Sequence, residues 1–296
     1  MGIILEDLLF ESVRYSVHSN SFDVSRLADY SLHLRVHQSC LAIGVYDPEN
    51  NECLALESYG YETAMNTTAL IVNLHNIVQK HSFLNAAFWK NVNIISALPS
   101  FAFIPSEVED ENNDETILSL TSKFSSKKDK IFKNTTDLNA SIIFALPQEL
   151  ENWFFEMYSN SNLSFSHSME SFIPETFEFD SNSLHCYLDN DMLYLTKCNE
   201  KKQVIFANSF KYKTEQDLLY YVLFVIDELK GTPQDTTLTI WGEVKSDNSA
   251  ITTLRKFIGK VNTGKKPKDM LYAYQFDQDP HEHAAVDIIG NMKLNR

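Results

Sequence analysis

An α/β fold built from two copies of one unit, ordered β-β-β-α-β-α-β-α, is what this 296-residue sequence predicts. Two observations lead there. The second half holds three short apolar runs separated by turn residues, then a long helical period, then strand and helix signals in alternation. The first half opens on the same succession. Strand–helix alternation of this kind builds a largely parallel sheet with helices packed against it.

The second half carries the clearest signals. Residues 183–188 and 192–196 are short runs rich in apolar and aromatic side chains, and Asp189, Asn190 and Asp191 between them tolerate turn geometry. A third run starts at Gln203 and continues towards Phe210 and Tyr212, so the three read as a meander. Thr214 is a natural N-cap, with Glu215 and Asp217 in a first turn where carboxylates suit the helix dipole. Leu218, Tyr221, Val222, Val225 and Leu229 then recur at helical spacing, and Gly231 with Pro233 supplies the stop. Beyond it, residues 237–241 read as a strand ending at Gly242, 250–258 as a helix, 270–276 as a strand and 283–292 as a final helix.

The first half repeats the opening. Residues from Ser31 to His33 begin a strand, 41–46 follow as its hairpin partner, and 53–56 form the third strand after an Asp-Pro-Glu-Asn-Asn turn. Thr67 or Thr68 opens a helix through Leu70, Ile71, Leu74, Ile77 and Val78. This unit is longer, and an insertion is expected near 91–135, containing strands at 92–96 and 101–104 and a helix at 116–124. The unit resumes with a strand at 141–146, a helix begun by Pro147, and a last strand at 163–165. The expected division is a leader at 1–26, with a helix across Leu5 to Val13, a first unit at 27–176 and a second at 177–296.

Composition narrows the function classes. Apolar residues make up 44% and charged residues 22%, which is ordinary for a globular protein. A net charge of −15 disfavours nucleic acid and anionic membrane surfaces as partners. No apolar run approaches the roughly 20 residues that span a bilayer, and acids at the N-terminus sit where a signal peptide needs basic residues, so a cytoplasmic location is expected. The cysteines at 40, 53, 186 and 198 form no CxxC pair and read as buried small side chains.

Residues 140–150, a strand followed by Pro147 and a helix, are similar to an element of the pilus-assembly and cell-division branch of the actin-like ATPase superfamily. The two meanders with their alternating tails resemble that superfamily's duplicated ribonuclease-H-like fold. More closely, Phe103 to Pro105, Asn208 to Thr214 with Asp217, Tyr220 and Tyr221, then Trp241 to Glu243, then Pro280 and His281 resemble an uncharacterised Bacteroidetes family, domain of unknown function 3822. That likeness covers roughly residues 27–291. It implies a fold and no activity.

The superfamily resemblance also says where a nucleotide would sit: at glycine-bearing turns between the first two strands of each unit, where backbone N–H groups approach the phosphates. Here the first turn is His37, Gln38 and Ser39, with neither Asp nor Gly. The second, Asp189, Asn190 and Asp191, keeps acids but no Gly. A third element, a paired glycine, is reduced to Gly242 followed by Glu243. Asp189, Asn190, Asp191, Gly242 and Glu243 are therefore the candidate nucleotide-binding residues, although the two aspartates serve equally well as plain hairpin-turn residues. No catalytic or metal-ligating residue is assigned: His281 and His283 flank Glu282, but a solvated turn explains them. The expectation is a non-catalytic scaffold or adaptor with degenerate phosphate loops, without a resident cofactor, acting through a protein partner or self-association. The alternative is a divergent ATPase- or kinase-like protein that binds Mg-ATP in the cleft between its units.

Overall fold

The computed structural model describes residues 12–86, 88–108, 113–122, 124–179, 183–244, 248–274, 276 and 284–294, and the strands of these residues form three sheets. The first sheet contains β1 (Ser12–His18), β2 (Ser31–Val36), β3 (Cys40–Asp47), β4 (Glu52–Gly60), β5 (Asn91–Ser96) and β9 (Asn162–His167). Strands β2, β3 and β4 form an antiparallel meander, and β5 and then β9 add in parallel beside β2. The second sheet repeats this pattern. Its meander is β10 (Leu184–Asp189), β11 (Met192–Cys198) and β12 (Val204–Lys211), with β13 (Thr237–Gly242) and β14 (Lys260–Thr263) parallel beside β10. Both sheets therefore place the five strands of their unit in the order third, second, first, fourth, fifth. The duplication seen in the order of sequence signals extends to strand pairing.

Some elements differ from expectation. The 92–96 run is β5, the fourth strand of the first sheet, and not part of an insertion. The insertion is the third sheet, made of β6 (Phe101–Pro105), β7 (Asp129–Thr136) and β8 (Ala140–Pro147), with α2 (Asp114–Thr121) packed on it. The 141–146 run thus lies in the insert. Both runs are apolar and β-branched, and period alone does not encode which neighbour a strand pairs with. In the second unit the fifth strand is β14, too short and polar to announce itself. Among its described residues, the 270–276 run contributes only β15 (Leu271–Tyr272), which pairs with β4 of the first sheet. Of the leader helix, residues 5–11 lie outside the described residues. Ser12 and Val13 belong to β1, which pairs antiparallel with β4.

Strand alternation assigns the faces. Leu32, Leu34 and Val36 of β2 meet α1 (Thr67–Lys80) and α3 (Gln148–Met157) in the largest apolar cluster. In the second sheet, Leu184, Cys186 and Leu188 meet α5 (Glu215–Glu228) and α6 (Ser249–Leu254). Helix α5 starts as its sequence requires: Thr214 Oγ1 accepts from the Asp217 N–H, and the Asp217 carboxylate accepts from the Thr214 N–H.

The opposite faces are covered by an exchange. Helix α4 (Ser168–Glu175) ends the first unit, yet Met169, Phe172 and Ile173 pack on Tyr187, Tyr194 and Trp241 of the second sheet. Helix α7 (Val286–Leu294) ends the second unit, yet Ile288, Ile289 and Met292 pack on Ala42, Tyr46 and Ile95 of the first. The two helices cross so closely that a Cβ at Gly290 would lie 2.3 Å from the Ser171 carbonyl oxygen.

Candidate functional site

The first hairpins of the two units meet tip to tip. In β2, alternation turns His33 and Arg35 away from α1 and towards α7. His33 is a core residue: its Nδ1 lies 2.8 Å from Asn291 Oδ1, and burial lowers its pKa to about 4. Arg35 sits one step nearer the tip. Its Nη2 donates to Asp189 Oδ2 and its Nε to Asp287 Oδ2, both at 2.5 Å. All three side chains are buried, with exposures of 4%, 7% and 0% for Arg35, Asp189 and Asp287. Asp189 ends β10, the first strand of the second unit, and Asp287 lies in the first turn of α7. One guanidinium thus joins the first sheet to the second sheet and to the exchanged helix.

Electrostatics and burial oppose each other here. Burial would raise the Asp189 carboxyl, but the Arg35 guanidinium and His37 hold it below its ordinary value. Burial disfavours the charge on Arg35, and the two carboxylates more than restore it. The Tyr187 hydroxyl lies 3.0 Å from Asp287 Oδ1, and its ring lies beneath the Arg35 guanidinium at 5.6 Å.

The turns touch directly. Asn190, at φ +54°, takes the left-handed conformation that Asn tolerates. Its Nδ2 donates to Asp189 Oδ1 at 2.9 Å and lies 3.6 Å from Cys40 Sγ and 3.5 Å from His37 Nδ1. His37 Nε2 lies 3.9 Å from Asp189 Oδ2, and Ser39 Oγ lies 3.0 Å from His37 Nδ1. Burial lowers the His37 pKa and, with the Asp189 charge, pushes the Cys40 thiol up to about 12. All four cysteines are free and buried, as their sequence context suggests.

Beside this junction is a cavity of about 260 Å³ whose lining includes Arg14, Tyr15, Arg35, Asp189, Asn190 and Glu243. The structure therefore gathers Asp189, Asn190 and Glu243 around one space. Glu243 pairs with Arg14 Nη1 at 3.3 Å and accepts from Ser58 Oγ at 3.3 Å. Asp191 turns aside to Lys211, at 2.8 Å. Gly242 has a packing reason for being glycine: at φ +104° a Cβ would lie 1.9 Å from the Leu188 carbonyl oxygen of the neighbouring strand. Trp241 is buried and donates from Nε1 to His185 Nδ1 at 3.2 Å. Residues 280–283 lie outside the described residues. Arg35, Cys40 and Asp287 are the site residues that the sequence reading did not single out.

A family model described as "Protein of unknown function (DUF3822)" matches residues 19–261. The chain belongs to that family. Among solved structures, the chain is similar to a Bacteroides thetaiotaomicron protein with actin-like ATPase fold and unknown function. That likeness covers 93% of this chain and 99% of that one, at 22% identity and a TM-score of 0.75. The PilM–PilN type IV pilus biogenesis complex is similar over 89% of this chain and 98% of that one, at 9% identity and a TM-score of 0.63. No curated protein matches the chain. The fold is that of the actin-like ATPases, as the paired meanders suggest. Among the described residues no helix is long and apolar enough to cross a membrane.

Proposed function

We propose that this chain is a non-catalytic actin-like protein, a scaffold or adaptor whose cleft is closed by its own side chains. Its units are residues 27–176 and 177–296, each lending its last helix to the other. One observation carries the reading: Arg35 bridges Asp189 and Asp287 at 2.5 Å each, between the two turns where the superfamily resemblance expects phosphates. A guanidinium already neutralised by two carboxylates has little left to offer an anion, and no glycine in either turn opens a backbone cradle. The cavity beside that junction, about 260 Å³, is smaller than the roughly 300–1,000 Å³ typical of ligand pockets. A chain of like fold is found in the PilM–PilN complex, which supports a protein partner for this chain too.

Isothermal titration of Mg-ATP into the chain is expected to give no saturable heat at micromolar concentrations. Saturable binding that disappears in Asp189→Ala would defeat the proposal. It would favour the second reading, a divergent nucleotide-binding protein using Asp189 and Glu243 for the metal, which draws support from the cavity those two carboxylates share.

A further inference from the structure

We propose that His37, Cys40 and Asp189 form a binding site for one divalent transition metal of the zinc class, shared between the two units. A ligand atom from each, an imidazole nitrogen, the thiol sulfur and a carboxylate oxygen, lies within 4.8 Å of the other two, and all three residues are buried. Three protein ligands with a fourth position left for water or another donor is the pattern of open zinc sites, and a sulfur–nitrogen–oxygen donor set favours zinc, cobalt or nickel over magnesium. Tetrahedral bonds of roughly 2.0–2.3 Å put ligand atoms under 4 Å apart. The His37 Nε2 to Asp189 Oδ2 separation, 3.9 Å, is close to that already.

The neighbouring groups set what binding an ion requires. Ser39 offers His37 Nδ1 both a backbone N–H at 3.2 Å and a hydroxyl at 3.0 Å. The backbone N–H donates to the Nδ1 lone pair, which leaves the ring proton on Nε2; holding an ion at Nε2 takes the other tautomer, with Nδ1 donating to the Ser39 hydroxyl and the backbone contact given up. Asn190 Nδ2 fixes the other oxygen of Asp189. The unfavourable neighbour is Arg35, whose Nη2 holds Asp189 Oδ2 and whose Nη1 lies 4.0 Å from Cys40 Sγ. Arg35 keeps Asp287 as a partner, so sharing Asp189 with an ion does not strand its charge. On binding, the S–H bond of Cys40 breaks, its proton goes to the buffer, and the sulfur electron pair forms the bond to the metal. The ion would tie His37 and Cys40, at the first hairpin of one unit, to Asp189, at the first hairpin of the other.

The test uses the reduced, chelator-stripped full chain titrated with Co²⁺. The expected result is saturation at one equivalent, with a near-ultraviolet sulfur-to-cobalt charge-transfer band and the visible bands of tetrahedral cobalt, all displaced by Zn²⁺. Cys40→Ser should abolish the charge-transfer band. It should weaken Zn²⁺ binding by more than the roughly 10–100-fold that losing a supporting hydrogen bond costs. An unchanged band in Cys40→Ser, or no band in the parent chain, would overturn the site. Zinc-edge X-ray absorption of the unmutated chain gives a check that needs no variant: one sulfur among nitrogen and oxygen neighbours is expected, and any other sulfur count overturns the assignment. Neither result depends on whether Mg-ATP binds.

Discussion

Without Arg35, Asp189 and Asp287 would share a buried junction with no guanidinium between them. Breaking a buried ion pair from one side typically costs about 3–5 kcal/mol, and here two carboxylates lose their partner together. Arg35→Met should lower the free energy of unfolding in urea by at least that lower bound, and adding Asp189→Asn should recover part of it. Additive losses in the double variant would mean that the two side chains are not coupled. A second buried carboxylate gives a pH test. Glu57 accepts from Tyr59 and lies 2.5 Å from His18 Nε2 and 2.9 Å from His81 Nε2. Burial acts to raise its pKa, but hydrogen bonds from His18, His81 and Tyr59 and the His81 charge bring it down to about 2 from the ordinary 4.5. A lowered carboxylate pKa stabilises the fold fully above about 4.5 and progressively less as pH falls towards 2, a span worth about 3 kcal/mol. Glu57→Gln should thus be less stable than the parent at pH 6, with the gap narrowing between pH 4.5 and 2 in thermal melts. A constant gap would contradict that linkage. Both residues left a trace in the sequence. Arg35 and Asp287 are lone charges within apolar runs, 31–36 and 286–289, and a charge in such a run must find a partner on folding. Their pairing across 252 residues had no local signal at all.

Among the elements, α5 was the most legible because its start is written in neighbouring residues. Thr214 and Asp217 cap each other, so Thr214→Ala should cost about 1 kcal/mol, read from chemical denaturation, whereas Thr68→Ala on the exposed first turn of α1 should cost less. An equal loss in both would remove the cap as the cause. Helices and hairpins were readable for this reason: caps, turns and periods act over a few residues. Sheet membership was not. The runs that became β5 and β8 look alike, and only their partners separate them: β2, far off in sequence, for β5, and β6 with the adjoining β7 for β8. Strand β14, Lys-Val-Asn-Thr, is held by parallel pairing to β13 rather than by any pattern of its own.

At the scale of the molecule, the exchange of α4 and α7 couples the two sheets. Each sheet needs a helix supplied by the other half of the chain, so unfolding should be one transition. The tryptophans allow a check. Trp89 belongs to the first core, Trp153 packs against it, and Trp241 lies in the second sheet. With Trp89 and Trp153 replaced by Phe, the fluorescence of Trp241 should report the same urea midpoint as far-ultraviolet circular dichroism. Separate midpoints would mean that the halves melt independently.

The same exchange has a bearing on synthesis. Arg35 leaves the ribosome 252 residues before Asp287. Until α7 follows, Ala42, Tyr46 and Ile95 have no cover, so strands translated well before α7 are finished only with it. The nascent chain must carry that apolar face until α7 emerges, an interval in which exposed apolar surface is prone to aggregate.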